Sequence, residues 1–337
     1  MDNNIWLYPF SLVYQAASRA IRRLHRSGAL PVRAAALPVV SVGNITFGGS
    51  GKTPLAHMLL GFLSQQGCKP ALISRGYRGR WEKTGGHIPP GGGNGLDWRD
   101  TGDEPYLAAQ RHPEAGIFIG KDKLTSCRRA REAGFDIAVL DDAFQHHRIR
   151  KDIDIVTHSP DKRALKREPV SSLRWADMVL LNQNSPPGLK QSLKKKTGAV
   201  PVYTYSVRPA EIFHAQSGKK ILPQDLKTIS FLAFCGIARP QRFFDLLNRQ
   251  GLHPKRTLKF PDHHAYPPSS IQKILHHVHA SGADAALTTE KDAVKLKSLM
   301  PAPGFPIWVM PIRLDIEPGF YQDLKQRLEH LPARRKS

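Results

Sequence analysis

The stretch VVSVGNITFGGSGKTP, from Val39 to Pro54, decides the fold of this 337-residue chain. An apolar strand leads into a glycine-rich turn that ends in Gly51-Lys52-Thr53, and helical sequence follows. Glycines let backbone N–H groups curl around phosphate oxygens, and the start of the helix adds partial positive charge. Lys52 then reaches the terminal phosphates of a nucleotide, and Thr53 coordinates Mg²⁺. The stretch therefore predicts a P-loop.

The predicted phosphate-binding residues run through the whole turn. They are Thr46, Gly48, Gly49, Ser50, Gly51, Lys52 and Thr53. Thr46 departs from the strict pattern GxxxxGK[ST], which has glycine at that position. Because the flanking strand and helix also meet the requirements of a P-loop, phosphate binding is favoured over a chance glycine-rich turn.

Short apolar runs alternate with helical sequence beyond the turn. The predicted strands are Leu37–Val42, Ala71–Ser74, Ile137–Leu140, Ile153–Val156 and Met178–Leu181. This alternation predicts a mostly parallel sheet with helices on both faces. Residues 84–97 are rich in Gly and Pro and predict a surface loop, and residues 184–200 predict a break or an exposed excursion.

A second α/β alternation begins near Ile229. Its predicted elements are the strands Phe231–Phe234, Ala285–Thr288 and Ile307–Met310 and the helices Gln241–Arg249 and Ile271–His279. We therefore expect an α/β fold with a P-loop NTPase-like, mostly parallel sheet, a second, smaller α/β domain and an N-terminal amphipathic helix. The expected divisions are 1–30 for the helix, 31–215 for the P-loop domain, 216–331 for the C-terminal α/β domain and 332–337 for a frayed tail.

Positive charge dominates the first quarter of the chain. The whole sequence has 50 Lys and Arg against 28 Asp and Glu, a net charge of +22, which predicts an anionic partner. Apolar residues recur at helical spacing from Phe10 to Leu24, and Arg19, Arg22, Arg23 and Arg26 fill the intervening face. This pattern predicts a basic amphipathic helix in contact with an anionic membrane surface. The alternative is a helix that packs on its own domain with a solvated arginine face.

Several classes of protein are disfavoured by the composition. The three cysteines form no CxxC pair, so we expect neither a zinc site nor a disulfide framework, and a reducing cytosol fits best. No uninterrupted apolar run reaches the ~18–20 residues of a spanning helix, and the order of a signal peptide is missing. We therefore expect neither a membrane-spanning nor a secreted protein.

Acidic and histidine-rich segments supply further candidate site residues. A predicted buried strand ends in Asp141-Asp142, where a carboxylate beside a P-loop can hold Mg²⁺ or its water shell. Three other polar groups are Gly102-Asp103-Glu104-Pro105, Gln145-His146-His147-Arg148 and Asp262-His263-His264. An Asp or His of this kind can accept the proton of a hydroxyl that attacks a γ-phosphate, although each group alone also fits a cap, turn or surface patch. No HExxH-type spacing supports a histidine metal cluster.

Eight segments resemble, in the same order, the tetraacyldisaccharide 4′-kinases of lipid A synthesis. They are VGNITFGGSGKTP (42–54), SRGYRGR (74–80), GDEP (102–105), DDAFQHHR (141–148), REP (167–169), GIARPQRFF (236–244), FPDHH (260–264) and TTEKDAVKL (288–296). The resemblance implies ATP-dependent transfer, with Mg²⁺, to the 4′-hydroxyl of a disaccharide 1-phosphate that carries four acyl chains. It also implies a peripheral protein at the cytoplasmic face of the bacterial inner membrane.

The same resemblance implies roles for individual residues. Asp103 and His263 match the catalytic pair of the family, and Lys52 matches its P-loop lysine. The other matches are Gln145 and His146 toward the nucleotide and Thr53, Asp141, Asp142 and Glu168 toward the metal. Two departures are visible: Ala143 replaces the glycine usual in DDGFQH, and the segment DKRALKREP (161–169) is shorter than the usual LPxGPLREP.

Other functions remain open from the residues alone. A GTPase would carry [NT]KxD, but in Thr289-Glu290-Lys291-Asp292 the lysine comes one place late. Another P-loop small-molecule kinase is the nearer alternative, and a basic nucleic-acid-binding NTPase is the more distant one. No RNP, helix-turn-helix or zinc-finger pattern accompanies the charge, so no nucleic-acid partner is expected.

Overall fold

A computed structural model describes residues 8–47, 51–160, 165–296 and 306–331. Gly48, Gly49 and Ser50 of the predicted P-loop lie outside the described residues, as does the predicted frayed tail 332–337. The helices are α1 (Tyr8–Arg26), α2 (Lys52–Gln65), α3 (Trp81–Thr84), α4 (Trp98–Thr101), α5 (Asp103–Arg111), α6 (Lys123–Glu132), α7 (Leu189–Thr197), α8 (Pro240–Arg249), α9 (Pro268–Ser281), α10 (Glu290–Leu296) and α11 (Gly319–Glu329).

The strands follow the alternation expected from the apolar runs. They are β1 (Val39–Asn44), β2 (Pro70–Ser74), β3 (Gly86–Ile88), β4 (Gly116–Ile119), β5 (Ile137–Leu140), β6 (Ile153–His158), β7 (Met178–Asn182), β8 (Val202–Pro209), β9 (Ile212–His214), β10 (Lys220–Ile221), β11 (Phe231–Cys235), β12 (Arg256–Lys259), β13 (Ala285–Thr289), β14 (Ile307–Met310) and β15 (Ile312–Ile316). Within the described part of the chain, short 3-10 helices lie at Val170–Trp175 and Asp225–Thr228.

Among the described residues, nine strands form one sheet in the order β15-β8-β7-β6-β1-β5-β2-β4-β3. Its pairs are parallel except at the two edges, where β15 and β3 run antiparallel to their neighbours. All six residues of β1 are buried, as are all four of β5, because helices cover both faces. The expected P-loop NTPase-like α/β sheet is confirmed.

A second, smaller sheet of the described residues has the order β10-β9-β14-β13-β11-β12. Its central strands are parallel, and β9 and β10 add an antiparallel edge. The α8 side chains Phe243, Phe244, Leu246 and Leu247 pack into the core on one face of this sheet. The second α/β layer expected from the sequence is therefore present.

The two sheets are not formed by two consecutive stretches of chain, as the expected ranges 31–215 and 216–331 imply. β9 already belongs to the second sheet before residue 216, and β15 with α11 returns to the first sheet after the second is complete. β15 pairs with β8, and Phe320 and Leu324 of α11 are fully buried in the core of the first sheet. Because these two side chains are buried in the core of the first sheet, the C-terminal segment belongs to that sheet and not to the expected 216–331 unit.

Two predicted irregular segments contain regular structure. Residues 184–200, expected to be a break, include α7, and residues 84–97, expected to be a loop, include β3. Gly188 adopts a left-handed conformation with φ 78° and leads directly into α7, where Leu193 is buried. The Pro-Pro-Gly sequence therefore precedes a helix start, and the lysine run occupies the outer face of that helix.

Helix α1 packs on the body of the protein through its polar face. Its buried side chains are Ser11, Gln15, Ser18, Arg22 and His25. Its exposed large apolar side chains are Leu12, Val13, Tyr14, Ile21 and Leu24. The predicted helix is present, but its apolar face points outward and Arg22 is buried, whereas the sequence pattern placed all four arginines on a face available to lipid.

Candidate functional site

The P-loop lysine lies between the end of β1 and the end of β5. Lys52 Nζ donates to Asp142 Oδ1 at 2.6 Å and to Asn44 Oδ1 at 3.3 Å. Lys52 is the first residue of α2, and Gly51 precedes it with φ 87°. A Cβ at Gly51 would lie 3.2 Å from the Tyr205 hydroxyl, so both the backbone conformation and the space favour glycine. The described end of the loop thus has the geometry a P-loop requires.

Two acidic residues at the end of β5 have opposite electrostatic environments. Burial opposes ionisation of Asp142, but Lys52 and Arg167 outweigh it and hold its pKa well below the usual range. Arg167 Nη1 donates to Asp142 Oδ1 at 2.6 Å. Burial, with the nearby Glu104 and Asp142 carboxylates, raises the pKa of Asp141 to about 6. Asp142 is thus neutralised by protein cations, and Asp141 is not.

Asp141 carries an unusual buried atom. Its Oδ1 is buried without a hydrogen-bond partner among the described residues. Its backbone oxygen accepts from Lys123 Nζ, and burial lowers the pKa of that lysine. A buried acid with an unused oxygen and a raised pKa is poised to bind a cation. This arrangement agrees with the metal role expected of Asp141 without testing it.

Helix α5 brings the GDEP segment against the P-loop. Thr53 Oγ1 donates to Glu104 Oε1 at 3.3 Å, and the same oxygen accepts from Lys291 Nζ at 3.0 Å. Gly102, with φ 86° and ψ 154°, immediately precedes the helix and turns its first residue, Asp103, inward. Asp103 is therefore adjacent in sequence to Glu104, which contacts Thr53 at the start of α2.

The structure brings Asp103 and His263 together. His263 Nδ1 and Asp103 Oδ2 are 2.8 Å apart, although the two residues are 160 positions apart in the chain. His263 has a left-handed φ of 57°, its N–H donates to the Gly236 carbonyl at 3.1 Å, and its ring makes an edge contact with Tyr77. The contact joins the first residue of α5 to the loop between β12 and α9.

The Asp103 carboxylate is buried and charge-stabilised. Burial raises its pKa, but the His263 hydrogen bond and the Lys291 and Lys295 cations outweigh burial, so its net pKa is lowered. Since a lower pKa favours the ionised form, Asp103 can accept a proton at neutral pH. The non-glycine left-handed conformation of His263 costs about 1–3 kcal/mol, and such costs cluster at functional sites.

Two other predicted site residues, Gln145 and Glu168, contact the chain just before the phosphate-binding turn. Both oxygens of Glu168 accept from Arg22 Nη2 at 2.7 Å, and one also accepts from Gln145 Nε2 at 3.2 Å. Gln145 Nε2 donates in addition to the Asn44 carbonyl at 2.9 Å. Because Glu168 is fully buried and paired with Arg22, its contacts here anchor α1, which differs from the expected metal role.

Thr46 and His146 occupy the edges of the site. Thr46 is buried and forms an isolated antiparallel bridge with Lys166, so it fixes the chain before the glycine turn. Burial, together with Lys123 and Lys151, lowers the pKa of His146 to about 4. A neutral imidazole at this place can accept or donate a hydrogen bond, and its role toward the nucleotide stays a prediction.

Several residues that contact the site were not predicted individually. They are Asn44, Glu104, Lys123, Lys291 and Lys295. All but Lys123 lie within segments that carry the family resemblance, which is the signal that could have indicated them. Lys123 lies in none of these segments, and only its burial in the fold reveals its contact with Asp141.

No group of three or more His, Cys, Asp and Glu side chains with metal-binding geometry occurs within residues 8–47, 51–160, 165–296 and 306–331. Mg²⁺ keeps several waters and binds one or two protein oxygens together with substrate phosphates, so it requires no such cage. The P-loop, the acidic pair after β5 and the Asp103–His263 pair together define a P-loop phosphotransferase.

The comparisons with known proteins give the particular family. The profile of the family described as Tetraacyldisaccharide-1-P 4′-kinase matches residues 3–329, and this chain belongs to that family. It is 34% identical over 303 residues to the tetraacyldisaccharide 4′-kinase of Pelobacter propionicus, covering 87% of this chain and 83% of the relative. It is also 34% identical over 339 residues to that of Desulfatibacillum aliphaticivorans, covering 95% and 91%.

A solved structure shares the fold over almost the whole chain. The crystal structure of LpxK from Aquifex aeolicus in complex with ATP superimposes with a TM-score of 0.74 at 24% identity, covering 97% of this chain and 98% of that one. This likeness shows a shared fold, and the profile and the two relatives confirm the family inferred from the eight ordered segments.

Proposed function

We propose that this protein transfers the γ-phosphoryl group of ATP to the 4′-hydroxyl of a tetraacyl-disaccharide 1-phosphate, the precursor of lipid A. The observation that carries the proposal is the Thr53–Glu104 hydrogen bond, which holds α5, and with it the Asp103–His263 pair, against the P-loop. A proton acceptor beside a phosphate-binding turn is what transfer to a hydroxyl requires. Membership of the kinase family and the ATP complex of the Aquifex protein support the same reaction.

The protein's own residues perform three tasks in this reaction. Lys52 neutralises charge on the transferring phosphoryl group. Asp103 accepts the proton of the acceptor hydroxyl as its oxygen bonds to phosphorus and the bond to the ADP oxygen breaks. His263 holds Asp103 by its 2.8 Å hydrogen bond. Since the reacting groups need only positioning and charge neutralisation, no covalent intermediate is required.

Thr53 and Asp141 fit a Mg²⁺ site. Asp141 offers a buried oxygen without a partner among the described residues, and Thr53 begins the helix after the glycine turn. Asp142 is held by Lys52 and Arg167, and Glu168 by Arg22, so we propose neither as a direct metal ligand. When bound, the ion would neutralise charge on the phosphate oxygens.

The outward apolar face of α1 supports peripheral association with an anionic membrane. Val13 is 69% exposed, and Leu12, Ile21 and Leu24 on the same helix are each about half exposed. Exposed arginines accompany them on α1: Arg19, Arg23 and Arg26. Apolar side chains flanked by arginine suit the headgroup layer, at the cytoplasmic face where the soluble nucleotide is available. None of the helices in the described residues is long and apolar enough to cross a bilayer.

Phosphoryl transfer by the purified protein tests the catalytic proposal. Radiolabelled ATP is offered in detergent with the tetraacyl-disaccharide 1-phosphate, with the same lipid lacking the 4′-hydroxyl, and with simple sugars and nucleosides. We expect label only in the lipid that has the 4′-hydroxyl. Labelling of a sugar or nucleoside instead would point to another small-molecule kinase and contradict the proposal.

Liposome sedimentation tests the membrane proposal. Val13→Asp and Ile21→Asp change exposed side chains and should preserve the fold, yet reduce binding to anionic vesicles, because charged groups are expelled from the apolar boundary. Gln322→Asp, at an exposed position on α11 away from this face, controls for charge alone. Unchanged sedimentation of the Val13 and Ile21 variants, or stronger binding of the parent to DNA than to vesicles, would contradict it.

A further inference from the structure

A lysine without solvent exposure lies behind the Asp103–His263 pair. Lys295 Nζ is 3.6 Å from Asp103 Oδ2 and 3.2 Å from Asp292 Oδ1, and both the Lys295 and Asp292 side chains are 0% exposed. The other oxygen of Asp292 accepts from the Gly236 N–H at 3.0 Å. An aspartate–lysine–aspartate series therefore runs from the second sheet to the site.

Such a series is a poor way to stabilise a fold. Moving a charged group out of water costs several kcal/mol, and replacing a buried ion pair by apolar side chains is often neutral or stabilising. The energetic requirements of folding therefore do not explain Lys295. What a buried cation does supply is a fixed position for the carboxylates on either side of it.

A second lysine, one turn earlier on α10, faces the same pair. Lys291 Nζ lies 3.0 Å from Glu104 Oε1, 3.4 Å from His263 Nε2 and 4.0 Å from Asp103 Oδ2. Burial lowers the pKa of Lys291, but the Glu104 and Asp103 carboxylates outweigh burial and raise it. Lys291 is therefore a permanent cation between the two catalytic candidates and the residue that contacts the P-loop threonine.

The contacts of Lys291 also determine which nitrogen of His263 carries the proton. An ammonium group only donates, so His263 Nε2 accepts from Lys291. His263 Nδ1 then bears the hydrogen and donates it to Asp103 Oδ2. Three groups converge on this one carboxylate oxygen: His263, Lys291 and Lys295. None of these contacts uses Oδ1, the oxygen left to receive a proton from the acceptor.

We propose that Lys291 and Lys295 are positioning residues for phosphoryl transfer, Lys295 fixing the Asp103 carboxylate and Lys291 fixing His263 with its proton on Nδ1. The proposal rests on the proposed function, because positioning is defined for that reaction. The proposal gives the TTEKDAVKL segment (288–296) a role in positioning the site. Its helix α10 places Lys291 and Lys295, one turn apart, against Asp103 and Glu104 of α5.

Kinetics of the full-length protein with ATP and the acylated disaccharide test the roles. Lys291→Met should lower kcat by about 10- to 100-fold with little change in KM for ATP, as expected for a misplaced reacting group. The acid limb of the kcat–pH profile should move to higher pH, because Lys291 is one of the cations that lower the pKa of Asp103, and its removal favours protonation of that carboxylate. Lys291→Arg should restore the acid limb in large part, and Lys325→Met, an exposed lysine on α11, is the matched control.

The tautomer of His263 supplies a readout that does not need activity. Nitrogen-15 NMR of the imidazole, assigned through His263→Gln, reports which ring nitrogen carries the hydrogen in the parent and in Lys291→Met. Besides Lys291 and Asp103, the groups that face this ring are Asp262, with Oδ2 3.9 Å from Nε2, and the Tyr77 ring. They are common to both proteins, so the fraction of His263 with its hydrogen on Nδ1 should fall in Lys291→Met and stay unchanged in Lys325→Met.

Each result decides the proposal. A folded Lys291→Met with parental kcat, acid limb and His263 tautomer overturns it, and so does a loss of activity that Lys291→Arg does not relieve. Lys295→Met should also lower kcat; if that variant fails to fold, Lys291 alone carries the test because its side chain is 21% exposed. A parent that phosphorylates another acceptor would contradict the proposed function, while the tautomer measured by NMR would still test the role of Lys291.

Discussion

Lys52 and Thr53 are the residues whose substitution tests the P-loop most directly. Its ammonium group bridges Asn44 and Asp142, and Thr53 follows it at the start of α2. We predict that Lys52→Ala and Thr53→Ala each lower kcat by about 10²-fold or more, since one removes the counter-charge of the phosphoryl group and the other a metal ligand. Radiometric turnover with Lys325→Ala as control measures this, and parental rates in both variants would refute the P-loop assignment.

The two neighbouring aspartates after β5 should affect stability in opposite directions. The pKa of Asp141 in the folded protein is raised to about 6, so ionisation of this carboxyl destabilises the fold. The loss of stability begins at the unfolded pKa of ~3.9, grows until about pH 6 and remains at higher pH. We predict that Asp141→Asn raises the melting temperature of nucleotide-free protein at pH 8. The gain should shrink toward pH 4, where both folded and unfolded parent carry the proton.

Asp142 provides the matched control for that prediction. Its folded pKa is depressed by Lys52 and Arg167 against the effect of burial, so its charge stabilises the fold above the unfolded pKa. Asp142→Asn should therefore lower the melting temperature throughout pH 5 to 8, and that loss should fade only below the unfolded pKa of ~3.9. Thermal scans of both variants from pH 4 to 8 with chelator present measure the two signs, and a shared sign at pH 8 would refute the assigned environments.

At the scale of one element, α1 shows what sequence periodicity can and cannot determine. The spacing of apolar residues correctly predicted an amphipathic helix, because periodicity is a local property. Which face meets the protein depends on a partner far along the chain: Arg22 binds Glu168, 146 positions away. The buried polar face therefore could not be derived from the helix sequence alone.

The ion pair between Arg22 and Glu168 should decide whether α1 stays docked. We predict that Arg22→Met lowers the free energy of docking by about 3 kcal/mol, because Glu168 would keep a buried charge without its cation. Hydrogen exchange of α1 amides should accelerate, while exposed Arg23→Met should leave it unchanged. Arg22→Met/Glu168→Met should recover part of the protection, and slow exchange in the single Arg22 variant would contradict the anchoring role.

Elements formed by local signals were predicted well, and elements formed by distant pairing were not. The end of β1 and the start of α2 follow from sixteen consecutive residues, Val39 to Pro54. By contrast, β15 exists through its antiparallel pairing with β8, a partner about a hundred residues earlier. Site residues followed the same rule: Lys52 was found from its motif, whereas Lys123 becomes visible only through the fold.

At the scale of the whole molecule, elements that pack on the two sheets contact one another directly. Arg239 donates to the Phe47 carbonyl at 3.1 Å, and Arg111 Nη1 on α5 lies 3.2 Å from Glu290 Oε2 on α10. Together with the Asp103–His263 hydrogen bond, these contacts fix the second sheet beside the P-loop.

Because Asp103 and His263 come from different sheets yet form one hydrogen-bonded unit, their losses should not add. We predict that Asp103→Ala lowers kcat by about 10²- to 10⁴-fold and that His263→Ala lowers it less, with ATP affinity retained in both. Once Asp103 is absent, the imidazole has no carboxylate to orient, so the double variant should cost much less than the product of the two single effects. Turnover of all four proteins, with melting curves to verify folding and nucleotide binding measured separately, completes the cycle. Multiplicative losses would show that the 2.8 Å contact is not a functional unit, and near-parental turnover of folded Asp103→Ala would remove it as the proton acceptor.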